Sequence, residues 1–409
     1  MAEKIVITGM GTVNAVGKSV EESWQNAVNG VSGLGPITLF DSSDHLVKVA
    51  CEIKDFDPTL YVDPRETRRR DRYELFAAAA AQQAIQQSGL EITEKNAARI
   101  GTVISAAVGG LTSMEEGVLA AFQEGPRRVS PFMIPMLMPN GAAGLVGIDH
   151  GPKGPALSVA SACASGQDGI GTAWMMLRSG MIDVAIAGAA EAVITKTAVS
   201  AFDRMQAMSR RLEGTPSPFD KRRDGLVIGE GAAVLVMETE SHAKARGATI
   251  LAELAGYSSS ADAYHITAPH SEGIGGAQAI RNALDVAGIN LDQVDYINAH
   301  GTGTVLNDLS ETRAIKSVFG EQAYKLAVSS TKGVTGHMMG ATGALETIFC
   351  VQTIRNGLIA PTINYLEPDP DCDLDYVPNK ARETKVDVAL TNAFGFGGHN
   401  AVLAVRKYQ

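Results

Sequence analysis

An internal repeat constrains the fold of this chain more than any other feature. Cys163-Ala-Ser-Gly166, with a helix-like run ending at Arg178-Ser-Gly180, lies over Gly340-Ala-Thr-Gly343, with a run ending at Arg355-Asn-Gly357; the spacing is the same in both copies. Each copy follows a stretch of small residues, Leu157-Ser-Val-Ala160 and Leu326-Ala-Val-Ser329. A strand, a small-residue turn and a helix stopped by glycine bury their apolar faces only against further layers. The repeat therefore predicts two similar α/β halves, residues 1–250 and 251–409, with a boundary near Thr249 to Glu253. No Pro-, Ser- or Gly-rich linker separates them, so the halves are expected to pack together.

The local pattern agrees with alternating strands and helices. Strand-like runs are Lys4–Thr8, Ala156–Ala160, Val184–Gly188, Ala232–Met237, Val294–Asn298, Leu326–Ser330 and Val386–Thr391. Helix-like runs are Val20–Asn29, Arg72–Ser88, Gly169–Arg178 and Gly343–Arg355. The sequence Gly9-Met-Gly11-Thr-Val-Asn14 begins like a dinucleotide fingerprint, but Asn14 stands where the third glycine belongs and Ala15-Val-Gly17 prolongs the segment, so it reads as a structural turn.

Composition excludes several classes of function. With 45% hydrophobic and 20% charged residues over 409 positions, the chain is globular and not disordered. A formal charge of −10 argues against nucleic-acid binding, which needs an excess of Lys and Arg over phosphate. No signal peptide is expected from Met1 to Gly9, and no apolar run is long enough to span a membrane. Cys51, Cys163, Cys350 and Cys372 are scattered, without CxxC or metal-ligand spacing, which fits a reducing cytoplasm and no bound metal.

Chemistry concentrates at strand-to-helix turns. Cys163 sits between a strand and a helix, where unsatisfied N–H groups and the helix dipole are expected to lower a thiol pKa. Cys350, on the second helix, reads as an inert buried thiol. His300 opens the turn His300-Gly-Thr-Gly-Thr304, and His337 precedes the duplicated helix; both occupy loops at carboxyl ends of strands. The repeat sets the His337 loop opposite the Cys163 loop. The loop Asn392-Ala-Phe-Gly-Phe-Gly-Gly-His-Asn400 offers mobile backbone, N–H groups for an oxyanion, and two phenylalanines, Phe394 and Phe396, that can plug a tunnel.

Together with Val6-Ile-Thr-Gly-Met-Gly11, Pro126-Arg-Arg-Val-Ser-Pro131, Pro218-Phe-Asp-Lys-Arg-Arg-Asp-Gly225 and Gly229-Glu-Gly231, these residues resemble the β-ketoacyl-acyl carrier protein synthases, the condensing enzymes of fatty-acid synthesis, across essentially the whole chain. The Cys-His-His set is similar to that of the elongating, type II members, whereas initiating and chalcone-type synthases carry Cys-His-Asn and thiolases a second cysteine. The resemblance implies a thiolase-like, duplicated five-layer αβαβα fold, a homodimer, and 3-oxoacyl chain elongation by decarboxylative condensation of a malonyl thioester, without metal or organic cofactor. It implies Cys163 as the acyl-accepting nucleophile, with His300 and His337 as donors to the malonyl carbonyl. Lys332 would supply electrostatic support, paired with Glu346. The N–H groups of Cys163 and Phe396 would form an oxyanion hole, Phe396 would also gate the pocket, and Thr302 and Thr304 would bind the pantetheine arm. Phe394 and Val108 would line the substrate site, Val108 in the acyl pocket near the dimer interface. Arg65, Arg68, Arg69, Arg127 and Arg128 would dock the acidic acyl carrier protein.

The chain departs from the family pattern at four positions. Gln206 replaces a common basic contact, with Arg204 close by; Gly303, Ala393 and His399 replace Ser, Ser and Thr. These changes bear on substrate range more than on reaction type. Two rivals follow from the same residues: a ketosynthase of a polyketide or other specialised pathway, and an inactive partner subunit that sets chain length, against which the presence of Cys163 argues.

Overall fold

The structure is a computed structural model that describes residues 3–409. Ten strands form its main sheet: β1 (Ile5–Asn14), β2 (Ile100–Ser105), β3 (Ala156–Leu157), β4 (Val184–Glu191), β5 (Gly231–Thr239), β6 (Ala252–Ala261), β7 (Tyr296–Asn298), β8 (Ala327–Ser329), β9 (Val388–Gly395) and β10 (His399–Arg406). Their spatial order is β8-β7-β9-β10-β6-β1-β5-β4-β2-β3.

Outward from the centre, one half runs β1-β5-β4-β2-β3 and the other β6-β10-β9-β7-β8, so each strand has a counterpart five places along the chain. Directions match as well. The two innermost pairings of each half are antiparallel and the two outer ones parallel. Among the described residues the halves meet edge to edge at two residue pairs, Val6 with Glu253 and Ile7 with Ala252.

The principal helices are α1 (Val20–Val28), α2 (Arg72–Ser88), α3 (Leu111–Gln123), α4 (Gly141–His150), α5 (Ser165–Arg178), α6 (Lys196–Arg204), α7 (Ile274–Ala287), α8 (Val305–Phe319), α9 (Lys332–Thr335) and α10 (Thr342–Asn356). Helices α5 and α10 are sandwiched between the half-sheets, α2 and α4 cover one outer face, and α7 and α8 cover the other. This is the five-layer thiolase-like stack. The central pair shares one close contact made twice: a Cβ on Gly166 would fall 3.1 Å from the Ala344 nitrogen, and one on Gly343 would fall 2.6 Å from Gln167 Cγ. Gly343 and Ala344 are the repeat counterparts of Gly166 and Gln167, so the contact has approximate two-fold symmetry.

Helix α2 shows why the glycines of β1 are needed. It starts at an Asp71–Glu74 capping box, ends at left-handed Gly89, and presents a run of buried alanines to the sheet. A Cβ on Gly9 or Gly11 would lie 2.1 Å from the carbonyl oxygens of Ala84 and Ala80. The segment expected to turn at Gly9 therefore continues as strand to Asn14, with bare backbone so that a helix can press on it.

Other expected elements differ in extent. Ala156–Ala160 yields only two strand residues, both exposed at the outer edge beside β2. Strands β2, β6 and β10 and helices α3, α4, α6, α7, α8 and α9 are not expected from the sequence pattern. Among the described residues no helix is long and apolar enough to cross a membrane.

Candidate active site

Cys163 occupies the turn before α5. Ala162 adopts a left-handed φ of 51°, and Ser165 ties the bend, its hydroxyl accepting the Ser161 N–H at 2.9 Å and donating to the Ala162 carbonyl at 2.6 Å. This non-glycine backbone strain holds the sulfur at the head of the helix. Nε2 of His337 lies 3.2 Å from Sγ. His337 is held by backbone bonds to Val227 and Gly229 on the other half, and its Nδ1 faces the Thr342 hydroxyl at 3.0 Å. The His300 ring stands edge-on to His337, with centroids 5.3 Å apart, and its Nδ1 has no partner among the described residues.

Burial pushes the Cys163 thiol up to about 11, although the Lys332 charge and the N–H groups of Phe396 and Cys163 itself pull it down. The sequence reading expected a lowered value. Desolvation of a thiolate beneath the loop outweighs the N–H groups that reading relied on. Both imidazoles are driven well below the ordinary histidine range, first by burial and then by Lys332. They are neutral near pH 7, each with one N–H to donate.

Lys332, in α9, is fully buried and pairs with Glu346 of α10 at 2.7 Å. Burial pushes Glu346 up to about 7 against the lowering effect of Lys332. Sγ and one nitrogen from each histidine lie within 4.8 Å of one another, a spacing that a soft cation such as zinc could bridge. The Lys332 ammonium that depresses both imidazoles opposes any divalent cation placed there.

A cavity of about 380 Å³ leads to this centre, lined by Cys163, His300, His337, Thr302, Thr304, Phe394 and Phe396 among others. The two threonine hydroxyls bond each other at 2.9 Å, and Phe396 stacks on Phe202 with centroids 6.3 Å apart. Gln206 also lines the cavity, and His399 is exposed beyond the glycines. Val108 is not brought to this cavity. It is 41% exposed, because the turn after β2 directs its N–H groups inward and this side chain outward. Arg65, Arg68, Arg69, Arg127 and Arg128 are all exposed, with Arg69 and Arg128 paired to Glu66 and Glu124.

Sequence reasoning missed several residues that hold the site. Glu311 of α8 accepts the N–H groups of His300 and Gly301 at 2.8 and 2.7 Å and the Asn392 amide at 3.0 Å. Asp308 fixes the threonine turn through the Gly303 N–H at 3.2 Å. Asp262 tethers the glycine loop, bonding the Asn400 amide at 2.8 Å and the Gly398 carbonyl at 2.9 Å. The structure inverts the usual pattern in α8, with Val305 and Leu306 exposed and Asn307, Asp308 and Glu311 buried, a polar face turned to the site that the sequence does not mark.

Residues 2–243 match the sequence model described as beta-ketoacyl synthase, N-terminal domain, and residues 251–366 that of the C-terminal domain. A 3-oxoacyl-[acyl-carrier-protein] synthase 2 of Staphylococcus aureus (strain COL) is 46% identical over 409 residues, covering 100% of this chain and 99% of that protein. Among solved structures, the ishigamide ketosynthase/chain length factor superposes with a TM-score of 0.94 at 36% identity, covering 100% of both chains. AntDE:AntF, a type II PKS acyl-carrier protein in complex with its ketosynthase bound to the hexaketide, does so with 0.92 at 33% identity, again covering 100% of both.

Proposed function

The chain belongs to the β-ketoacyl synthase family, and from that premise we propose that it is a 3-oxoacyl-acyl carrier protein synthase that elongates fatty acyl chains by two carbons. It is a condensing acyltransferase. The observation that carries the residue roles is Cys163 Sγ 3.2 Å from His337 Nε2, with the second neutral imidazole of His300 beside it.

In the first half-reaction Cys163 takes the acyl group from the carrier thioester. The S–C bond to Cys163 forms, the bond to the carrier sulfur breaks, and the thiol proton passes through His337 to the departing thiolate. The Thr342 hydroxyl can donate to or accept from Nδ1, so it accommodates His337 with Nε2 as acceptor in this step and as donor in the next. In the second half-reaction the malonyl C–C bond to carboxylate breaks and CO2 leaves. The electron pair becomes an enolate whose oxygen accepts N–H bonds from His300 and His337. The carbanion attacks the acyl-Cys163 carbonyl, and the N–H groups of Cys163 and Phe396 hold the tetrahedral oxyanion. Collapse expels the Cys163 thiolate, which takes one proton from solvent. Lys332, fixed by Glu346, keeps both imidazoles neutral and favours the thiolate at the centre.

Thr302 and Thr304 bind the pantetheine arm along the cavity, Phe394 lines it, and Phe396 gates the acyl site, a reading supported by its stacking on Phe202. The exposed arginines Arg65, Arg68, Arg69, Arg127 and Arg128 dock an acidic acyl carrier protein. The enzyme works as a homodimer, in which a partner covers the exposed edge of β3, Val108, and the apolar side chains of Phe122 (88% exposed), Ile134 and Ile148. Division into halves at 250/251 is favoured by the matched strand orders, and a cytoplasmic setting by four cysteines that are all unpaired.

Acylation of Cys163 by acyl-carrier thioesters, read by intact mass, tests the proposal; absence of acylation across short and long chains would move the reading to a specialised pathway or an inactive partner subunit.

A further inference from the structure

Glu191 ends β4 with a fully buried carboxylate that the reaction does not use. Oε2 accepts the N–H groups of Ala107 at 2.7 Å and Gly340 at 3.2 Å, and Oε1 those of Val108 at 3.2 Å and Gly109 at 3.1 Å. Burial raises its carboxyl to about 7 against the pull of these four backbone N–H groups, so it carries its charge above that pH.

Each element around this carboxylate is the pseudo-symmetric counterpart of one around the nucleophile. Gly340 is the repeat partner of Cys163. The turn after β2 that carries Ala107 to Gly109 corresponds to the turn after β7 that carries His300. The end of β4 corresponds to the end of β9, beyond which lies Phe396. At the active site, N–H groups of Cys163 and Phe396 converge on Sγ. At the counterpart position the Gly340 N–H, partner of the Cys163 N–H, converges on Glu191 together with the three N–H groups of the turn after β2.

We infer that Glu191 is a built-in anion filling the second, silent copy of the oxyanion site, and that it acts as a positioning residue for the acyl chain. The turn it clamps leads into the apolar cluster beside the nucleophile, where Ala107 and Leu111 pack with Cys163, Phe202, Val199 and Met339. An acyl group on Cys163 has to enter this cluster, so the clamp sets one wall of its path. The chain-length part of this inference rests on the condensing reading; the electrostatic part does not, because the Glu191 charge also raises the Cys163 pKa. The other groups that face Sγ are His337, His300 and Lys332, and Tyr73 faces Glu191.

The test uses full-length Glu191→Gln. At pH 8, iodoacetamide should alkylate Cys163 about threefold or more faster than in the parent, with the difference shrinking below pH 7, where Glu191 of the parent is protonated. The ratio of kcat/KM between long and short acyl-carrier substrates should change by about tenfold. A folded variant with the parental alkylation profile and the parental chain preference overturns the inference. If Glu191→Gln does not fold, Glu191→Asp, which keeps the charge on a shorter arm, should keep the alkylation profile and change the chain preference; an unchanged preference overturns the inference. If the parent takes no acyl substrate, the condensing reading fails, and the alkylation shift alone supports or overturns the role of Glu191.

Discussion

Replacing Lys332 by Met separates the stability of the buried pair from its effect on the reaction. Lys332 and Glu346 are 2.7 Å apart and essentially unexposed, and among the described residues Oε2 of Glu346 has no partner. Removing the ammonium leaves a lone buried carboxylate, at a cost of about 3–5 kcal/mol. With about 2.1 cal/mol/K of unfolding entropy per residue, a chain of this length loses about 4–6 °C in Tm. The loss depends on pH. A carboxyl raised to about 7 from 4.5 favours the folded state fully below pH 4.5 and loses that contribution as pH rises through 7. Without Lys332 the folded value rises further, so the destabilisation is larger at pH 8 than at pH 6. The double variant Lys332→Met/Glu346→Leu removes the orphaned charge and should recover most of the Tm. Condensation should not recover: both imidazoles lose the charge that depresses them, so the acid limb of the pH–rate profile moves to higher pH. Thermal melts and initial rates at matched pH values check this. A single variant with parental Tm at pH 8, or a double variant with parental rate and acid limb, would refute the reasoning.

Cys163 carries a thiol raised to about 11, so its alkylation rate should keep rising with pH through 9 without a plateau, while a plateau near pH 7 would contradict the burial argument. Phe396→Ala removes the ring stacked on Phe202 and should lower kcat by about tenfold through a leaky gate with little change in Tm, measured by steady-state kinetics and melting. Reversing charge at Arg65, Arg68 and Arg127 should raise KM for carrier substrates by about tenfold or more in low salt, with the gap closing in high salt and Cys163 alkylation unchanged.

Much of this architecture was legible because duplication leaves marks in sequence. The repeat around Cys163 and Gly340 carries Gly166 and Gly343, the two glycines at which the central helices make one contact twice. Helix α2 was read to the residue because an N-cap aspartate, an alanine-rich core face and a terminal glycine all agree. Strand β6 was not, since Ala-Glu-Leu-Ala-Gly-Tyr-Ser-Ser-Ser-Ala has few β-branched residues and takes its form from pairing with β10. Helix α8 escaped because the first half of its buried face, Asn307 to Thr312, is polar and turned toward the His300 loop, and only Ala314, Ile315, Val318 and Phe319 reach the apolar core. Cys163, His300, His337 and Lys332 could be singled out from strand-to-helix turns and the resemblance, and the structure brings them together. The direction of the thiol pKa could not, because the depth of burial depends on Gly395, which packs against Cys163 from the far end of the chain. Glu191 and Glu311 stayed hidden for a related reason: a lone carboxylate in sequence reads as surface until the backbone N–H groups around it are placed.

The most direct test of the central claim is intact-mass spectrometry of the full chain after incubation with an acyl-carrier thioester and then with malonyl-carrier. The account predicts one acyl adduct, mapped to Cys163, that disappears on malonyl addition as CO2 and a 3-oxoacyl-carrier are released. An adduct on another residue, or condensation that persists in Cys163→Ala, would contradict it.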